Sequence, residues 1–296
     1  MGQRLLEPPA LAGLATILVS GWVLVWRWGP IAAGHPSYLI FYFVAILLGV
    51  VGVLAVERRK GPRSAIKSSL SAFGLVVVSF AAWWLAPFPA DQVALDVLEH
   101  PVGFEVTESA SSIRLQPEGE KSGTSLSFYP GARVDARAYA GILSPLARDG
   151  IDVTILKPPL GIAFLVFGVT RPDTQAWVVG GHSLGGVAAS GAADRGADGL
   201  LLWASFPASN ISANTELNVS SIYGTEDAFA TPTEVTASST DLPPETVFVA
   251  VQGAIHSFFG DYGLQPGDGT PAVDRDQAQT EIIDASLNLL HSLSGP

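Results

Sequence analysis

The stretch Trp177-Val-Val-Gly-Gly-His-Ser-Leu-Gly-Gly186 constrains this chain more than any other. It reads as a short apolar strand, a tight turn, and then a helix of small residues, Val187-Ala-Ala-Ser-Gly-Ala-Ala193. The turn Gly181-His-Ser-Leu-Gly185 has the spacing G-x-S-x-G. A serine between a strand and a helix sits in a strained turn, and bulky residues two positions to either side would collide with the backbone. Glycine at both positions lets the chain fold sharply and lifts the Ser183 hydroxyl clear of the sheet. The helix that starts beside it offers free N–H groups and a dipole favouring negative charge.

Composition separates two parts. The chain has 296 residues, 48% hydrophobic and 15% charged, with a mean hydropathy of +0.36. That is too apolar for an ordinary soluble protein, so membrane segments are expected. Residues 1–90 hold seven Lys/Arg against two acids, whereas the remainder holds nine against 25. An acidic second part is a poor nucleic-acid binder. There is no cysteine, which excludes disulfides, thiolate metal sites and cysteine nucleophiles.

Three uncharged apolar runs open the chain: Pro9 to Trp26, Tyr38 to Val56 and Ser68 to Leu85. At about 1.5 Å per helical residue, each nearly crosses a hydrocarbon core of about 30 Å. Trp26, Trp28, Tyr38, Trp83 and Trp84 sit near the run ends, where aromatic belts lie. Residues 57–67 carry five positive charges and the first loop only Arg27. The positive-inside rule then puts the second loop in the cytoplasm and everything after Leu85 outside. The expected organisation is a three-span membrane anchor, 1–90, and one α/β domain, 91–296, at a cell membrane.

That domain alternates strands with helices, the pattern of a mostly parallel sheet covered on both faces. Strands are expected near 102–106, 112–115, 124–128, 153–156, 199–204, 219–223 and 246–251, besides the one entering the serine turn. Helices are expected at Tyr139–Arg148, over a short stretch ending at Phe167, after Ser183, and at Gln277–Leu293.

Functional groups in such a sheet sit just past the C-terminal ends of strands. The strand ending at Tyr223 runs into Gly224-Thr-Glu-Asp-Ala228, and the one ending at Val251 into Gln252-Gly-Ala-Ile-His-Ser257. The order is serine, acid, histidine: Ser183, then Asp227 or its rival Glu226, then His256. His35, His100 and His291 lie outside these strand ends, and His182 points away from the serine hydroxyl. Two N–H donors for an oxyanion are expected from Leu184 and from the turn Phe128-Tyr-Pro-Gly-Ala132, at Ala132 or else Gly131.

The segments Phe128-Tyr-Pro-Gly-Ala-Arg-Val-Asp-Ala-Arg-Ala-Tyr139, Gly181-His-Ser-Leu-Gly-Gly186, Tyr223-Gly-Thr-Glu-Asp227 and Gly253-Ala-Ile-His-Ser-Phe-Phe-Gly-Asp-Tyr-Gly263 resemble the α/β-hydrolase superfamily. They are most similar to the group called α/β-hydrolase fold-5, near the dienelactone-hydrolase-like proteins, over roughly residues 120–295. The resemblance implies an α/β-hydrolase fold with Ser183 as nucleophile, His256 as base and Asp227, rather than Glu226, as its orienting acid. Where that family often has asparagine before its histidine, this chain has Ile255. The three-span leader is not part of the family pattern.

The expected activity is hydrolysis of a carboxylic ester, small or presented at the envelope, through an acyl-enzyme. No metal or cofactor is implied. Only Ser205 to Asn218 separate two strands beside the site, leaving little room for a lid and favouring short-acyl substrates. Arg133 and Arg137 near the oxyanion turn are expected to form ion pairs or solvated charges rather than to bind an anion. The same residues would serve acyl transfer, with an envelope hydroxyl replacing water. The reading from a different class is a catalytically silent binding or scaffold protein, against which the ordered set argues. A transport subunit is disfavoured because the spans carry no ionisable residue.

Overall fold

The computed structural model describes residues 6–58, 61 and 64–294. Arg59, Lys60 and Arg63 of the basic loop lie outside the described residues. The chain divides into two compact units, Met1–Pro87 and Phe88–Pro296.

The first unit is helical: α1 (Pro8–Trp26), α2 (Trp28–Ala33), α3 (Ser37–Glu57) and α4 (Ala65–Trp84). Among these, α1, α3 and α4 are long and apolar enough to cross a membrane. The short α2 occupies the first loop, where the sequence pattern gave no periodicity to read. Small residues let α1 and α3 approach closely. A Cβ on Gly13 would lie 2.6 Å from the Gly49 carbonyl oxygen, and one on Gly49 would lie 2.7 Å from that of Gly13. Polar links tie in α4. The Thr16 and Ser79 hydroxyls meet at 2.9 Å, and the Tyr42 hydroxyl donates to the Ala82 carbonyl at 2.9 Å. Close backbone approach and interhelical hydrogen bonds of this kind hold helices together where lipid gives no hydrophobic drive. Leu18, Phe43, Leu47, Phe73 and Phe80 stay exposed, as lipid-facing positions would.

The second unit begins with α5 (Gln92–Glu99) and two strands, β1 (Phe104–Glu108) and β2 (Ser112–Pro117). Then follow β3 (Thr124–Tyr129), α6 (Ala140–Arg148), β4 (Asp152–Leu156), β5 (Ala176–His182), α7 (Leu184–Ala193), β6 (Gly199–Trp203), β7 (Asn218–Gly224), α8 (Pro232–Ala237), β8 (Val247–Val251) and α9 (Arg275–Leu293). The eight strands form one sheet in the order β1-β2-β4-β3-β5-β6-β7-β8. β2 runs antiparallel to both neighbours, and β4 through β8 pair in parallel through β3. All eight expected strands are present. The expected short helix before Phe167 is not: residues Pro159–Gly161 and Ala163–Leu165 make two 3-10 turns. Consecutive prolines remove N–H donors there, and Leu160 sits at φ 53°, outside helical space.

Strand periodicity sorts the two cores. Val178 of β5 and Leu201 and Trp203 of β6 join Phe128, Leu143 and Ile282 on the side of α6 and α9. Trp177, Val179, Leu200 and Leu202 join Ala189 and Ala192 on the side of α7. Each buried indole N–H finds a hydroxyl: Trp177 donates to Ser127 and Trp203 to Ser286, both at 3.0 Å. The central strands β5 and β6 are thus buried on both faces, and their sequences read as continuous apolar runs.

The helical unit gives a test with opposite signs. Gly49→Ala should lower the thermal midpoint of the full chain in detergent, because overpacking costs about 1–3 kcal/mol. Gly74→Ala on α4, where an added Cβ meets nothing within 4 Å, should raise it through helix propensity worth about 1 kcal/mol.

Candidate functional site

The site is built at the C-terminal ends of β3, β5, β7 and β8. Ser183 follows β5 with φ 54° and ψ −126°, a conformation that costs about 1–3 kcal/mol for a residue with a side chain. Close contacts make it unavoidable. A Cβ on Gly181 would lie 2.4 Å from the Gly185 carbonyl carbon, and a Cβ on Gly185 would lie 2.0 Å from the Tyr129 carbonyl oxygen. Only glycine allows the turn to close on itself and on the end of β3. Hydrogen bonds hold the serine backbone there. Its N–H donates to the Trp203 carbonyl at 2.9 Å, and its carbonyl accepts from the Ser205 hydroxyl at 2.7 Å and the Gly186 N–H at 2.9 Å.

The acid and the histidine lie on adjoining loops zipped together by the backbone. Thr225 N–H donates to the Val251 carbonyl at 3.1 Å, Glu226 N–H to the Ala254 carbonyl at 3.0 Å, and Gly253 N–H to the Thr225 hydroxyl at 2.8 Å. Asp227, not Glu226, meets the imidazole: His256 Nδ1 and Asp227 Oδ2 are 2.8 Å apart. Glu226 is exposed. The second Asp227 oxygen accepts from the N–H groups of Phe229 and Ala230, both at 2.8 Å. Asp227 is 4% exposed and His256 2%, so both partners of this hydrogen bond are sheltered from water. The Ser183 hydroxyl forms no hydrogen bond among the described residues.

Both expected oxyanion donors are free. Leu184 is the first residue of α7, and neither its N–H nor that of Ala132 meets an acceptor among the described residues. The alternative donor, Gly131, is occupied: its N–H donates to the Tyr139 hydroxyl at 2.9 Å. Arg137 forms an ion pair with Asp135 at 2.6 Å, and the Arg133 guanidinium lies 5.1 Å from the centre of the Phe88 ring.

Three side chains at the site carried no readable signal. His182 is buried, with its ring centre 4.5 Å from that of His256 and stacked at 5.8 Å on Phe259. Tyr139 holds its Nδ1 at 2.9 Å. Burial, then the neighbouring His256, keeps the His182 pKa well below the usual imidazole value, while burial pushes the Tyr139 hydroxyl up. Asp268 accepts from the N–H groups of His256 at 3.2 Å, Ser257 at 2.8 Å and Gly269 at 2.7 Å. These contacts span 11 and 12 residues to the histidine loop, and local pattern does not report them. Among the described residues, no group of three or more His, Asp or Glu gathers as a metal site.

Recesses open near both ends of the sheet. A crevice of about 180 Å³ runs beside α7, lined by Tyr129, Phe164, Phe167, Val187, Ala188 and Arg195. A polar groove of about 810 Å³ opens at the N-terminal ends of the strands, the end opposite Ser183, among Arg114, Ser125, Asp152 and Thr174.

The strand order, the serine turn after β5 and the acid and histidine after β7 and β8 are the frame of an α/β hydrolase. Residues 125–281 match the model of an alpha/beta hydrolase family, and the chain belongs to that family. No curated protein matches the chain in sequence. Similar solved structures include a Thermus thermophilus protein at 11% identity, covering 64% of this chain and 99% of that one, with a TM-score of 0.46. Thermogutta terrifontis esterase 2, phosphorylated by paraoxon, is 14% identical over 66% of this chain and 96% of its own, at a TM-score of 0.40. An alpha-beta serine hydrolase homologue from Coxiella burnetii is 14% identical over 61% and 95%, also at 0.40.

Asp268 can be tested apart from chemistry. Asp268→Ala leaves three N–H groups without their acceptor, and a lost buried partner costs about 1–3 kcal/mol. The full chain in detergent should melt at a lower temperature, and Asp268→Asn, which keeps one carbonyl oxygen, should melt between that variant and the native chain.

Proposed function

We propose that the chain is a membrane-anchored serine hydrolase that cleaves carboxylic esters, with residues 1–90 as the anchor and 91–296 as the catalytic domain. The observation that carries this reading is the closed, buried Asp227–His256 pair beside a serine held at positive φ. In this reading Asp227 fixes Nδ1–H, so Nε2 of His256 is the free base. His256 takes the Ser183 proton as Oγ bonds to the ester carbonyl carbon. The carbonyl oxygen becomes an oxyanion facing the N–H groups of Leu184 and Ala132, each donor worth about 10²–10³ in rate. The alcohol leaves with the proton from His256. Water, deprotonated by His256, then attacks the acyl-enzyme, and Ser183 departs protonated with release of the acid.

The apolar crevice beside α7 starts one helical turn past Ser183. At about 180 Å³ it is near the roughly 150 Å³ that takes up a benzene ring, which favours a short acyl or small aromatic group. Five positive charges in residues 57–67 favour a cytoplasmic second loop and an extracytoplasmic catalytic domain.

Fluorophosphonate should label the full chain in detergent, and Ser183→Ala should abolish labelling. Turnover of p-nitrophenyl butyrate should drop about 10⁶-fold in that variant, in practice to background. A folded Ser183→Ala protein that still labels would refute the assignment. Because the chain has no cysteine, topology is testable on a clean background. Glu120→Cys should react with a membrane-impermeant maleimide on intact cells, and Ser64→Cys only after lysis; the reverse pattern would invert the orientation.

A further inference from the structure

The backbone donors of the oxyanion turn can be counted one by one. Pro130 has no N–H. Gly131 N–H donates to the Tyr139 hydroxyl at 2.9 Å, Arg133 N–H to the Gly161 carbonyl at 2.8 Å, and Val134 N–H to the Gly131 carbonyl at 3.1 Å. Ala132 alone in this run keeps its N–H without an acceptor among the described residues. What holds the turn in this state is a pair of side chains beneath it. A Cβ on Gly131 would lie 2.9 Å from His182 Nδ1 and 3.1 Å from the Tyr139 hydroxyl oxygen, so the turn rests directly on both.

The hydroxyl of Tyr139 has one hydrogen to give. With the Gly131 N–H donating to its oxygen, that hydrogen is placed to go to His182 Nδ1, 2.9 Å away. The hydrogen of the neutral imidazole then sits on Nε2, the buried side of the ring that interacts with the His256 backbone. The other ring nitrogen, Nδ1, is then an acceptor facing Tyr139. His182 is the residue next to Ser183 and the last residue of β5. The chain Gly131–Tyr139–His182 thus ties the turn that carries one oxyanion donor to the strand that carries the nucleophile.

We propose that Tyr139 and His182 are positioning residues that set the Ala132 N–H against the developing oxyanion. The proposal rests on the serine-hydrolase reading. Tyr139 acts through the backbone of Gly131 and Ala132, and His182, whose ring also packs on that of His256, acts on the turn through Tyr139. Their effect belongs to the transition state, where charge appears on the carbonyl oxygen, and not to ground-state binding.

The test uses the full chain in detergent, with active sites titrated by fluorophosphonate so that kcat refers to folded, labelled enzyme. Four proteins are compared: native, Tyr139→Phe, His182→Leu and His182→Asn. The asparagine Oδ1 falls near the position of Nδ1 and restores an acceptor. Tyr139→Phe and His182→Leu should lower kcat for p-nitrophenyl butyrate about 10- to 100-fold, less than or up to the loss of a whole donor, with KM within about twofold. A trifluoromethyl ketone, which forms the tetrahedral adduct, should lose affinity by the same factor. His182→Asn should recover most of both. Native kcat in Tyr139→Phe would overturn the proposal, as would equal losses in His182→Leu and His182→Asn, or a fall in kcat that the ketone does not follow. A native chain that neither labels nor turns over would remove the hydrolase reading and this proposal with it, whereas an active native chain indifferent to Tyr139→Phe removes this proposal alone.

Discussion

The site depends on one close backbone approach, that of Gly185 to the end of β3. With the Tyr129 carbonyl only 2.0 Å from where a Cβ would stand, α7 starts against the turn that follows β3, bringing the Leu184 and Ala132 segments to the same place. The neighbouring glycines extend the constraint, since a Cβ on Gly186 would meet the Ser205 hydroxyl at 2.5 Å. That hydroxyl is the group that accepts responsibility for the Ser183 carbonyl, donating to it at 2.7 Å. Ala204 precedes it at φ 45°, so a second strained residue, at the end of β6, supports the first. Strain of this type persists only where surrounding structure over-determines it, and here two fully buried strands do so.

What could be read from the sequence follows from the range of the interactions. Strands β5 and β6 are apolar along their whole length because both faces are covered, and the serine turn declares itself by glycine spacing alone. The order Ser183, Asp227, His256 was legible because parallel strands deliver their loops to one end. The choice of Asp227 over Glu226 came only from the family resemblance, since adjacent carboxylates differ only in which one the loop turns inward. Helix α8 went unread although it opens with a capping box, Thr231 and Glu234, because six residues carry too little periodicity. The stretch after β4 read as helix because it is apolar, yet its prolines and the left-handed Leu160 turn it into 3-10 structure. Asp268 and Tyr139 were silent for a different reason: their partners come together only when the sheet has formed.

The burial of His182 has an electrostatic consequence for the proposed chemistry. Its ring centre is 4.5 Å from that of His256. Were it protonated, it would oppose a charge on His256 by about 4 kcal/mol at an effective dielectric of about 20. Burial holds its pKa low, and the Tyr139 hydroxyl donating to Nδ1 requires that nitrogen to stay unprotonated. A second histidine beside the base is therefore compatible with proton transfer only because it is kept neutral. That neutrality comes first from burial and then from the neighbouring His256, and the Tyr139 hydroxyl beside Nδ1 is compatible with it. Phe259 stacks on the His182 ring at 9°, and His182 is buried. The charge state of His182 thus follows from its burial, while its contact with Tyr139 links it to the turn at Gly131.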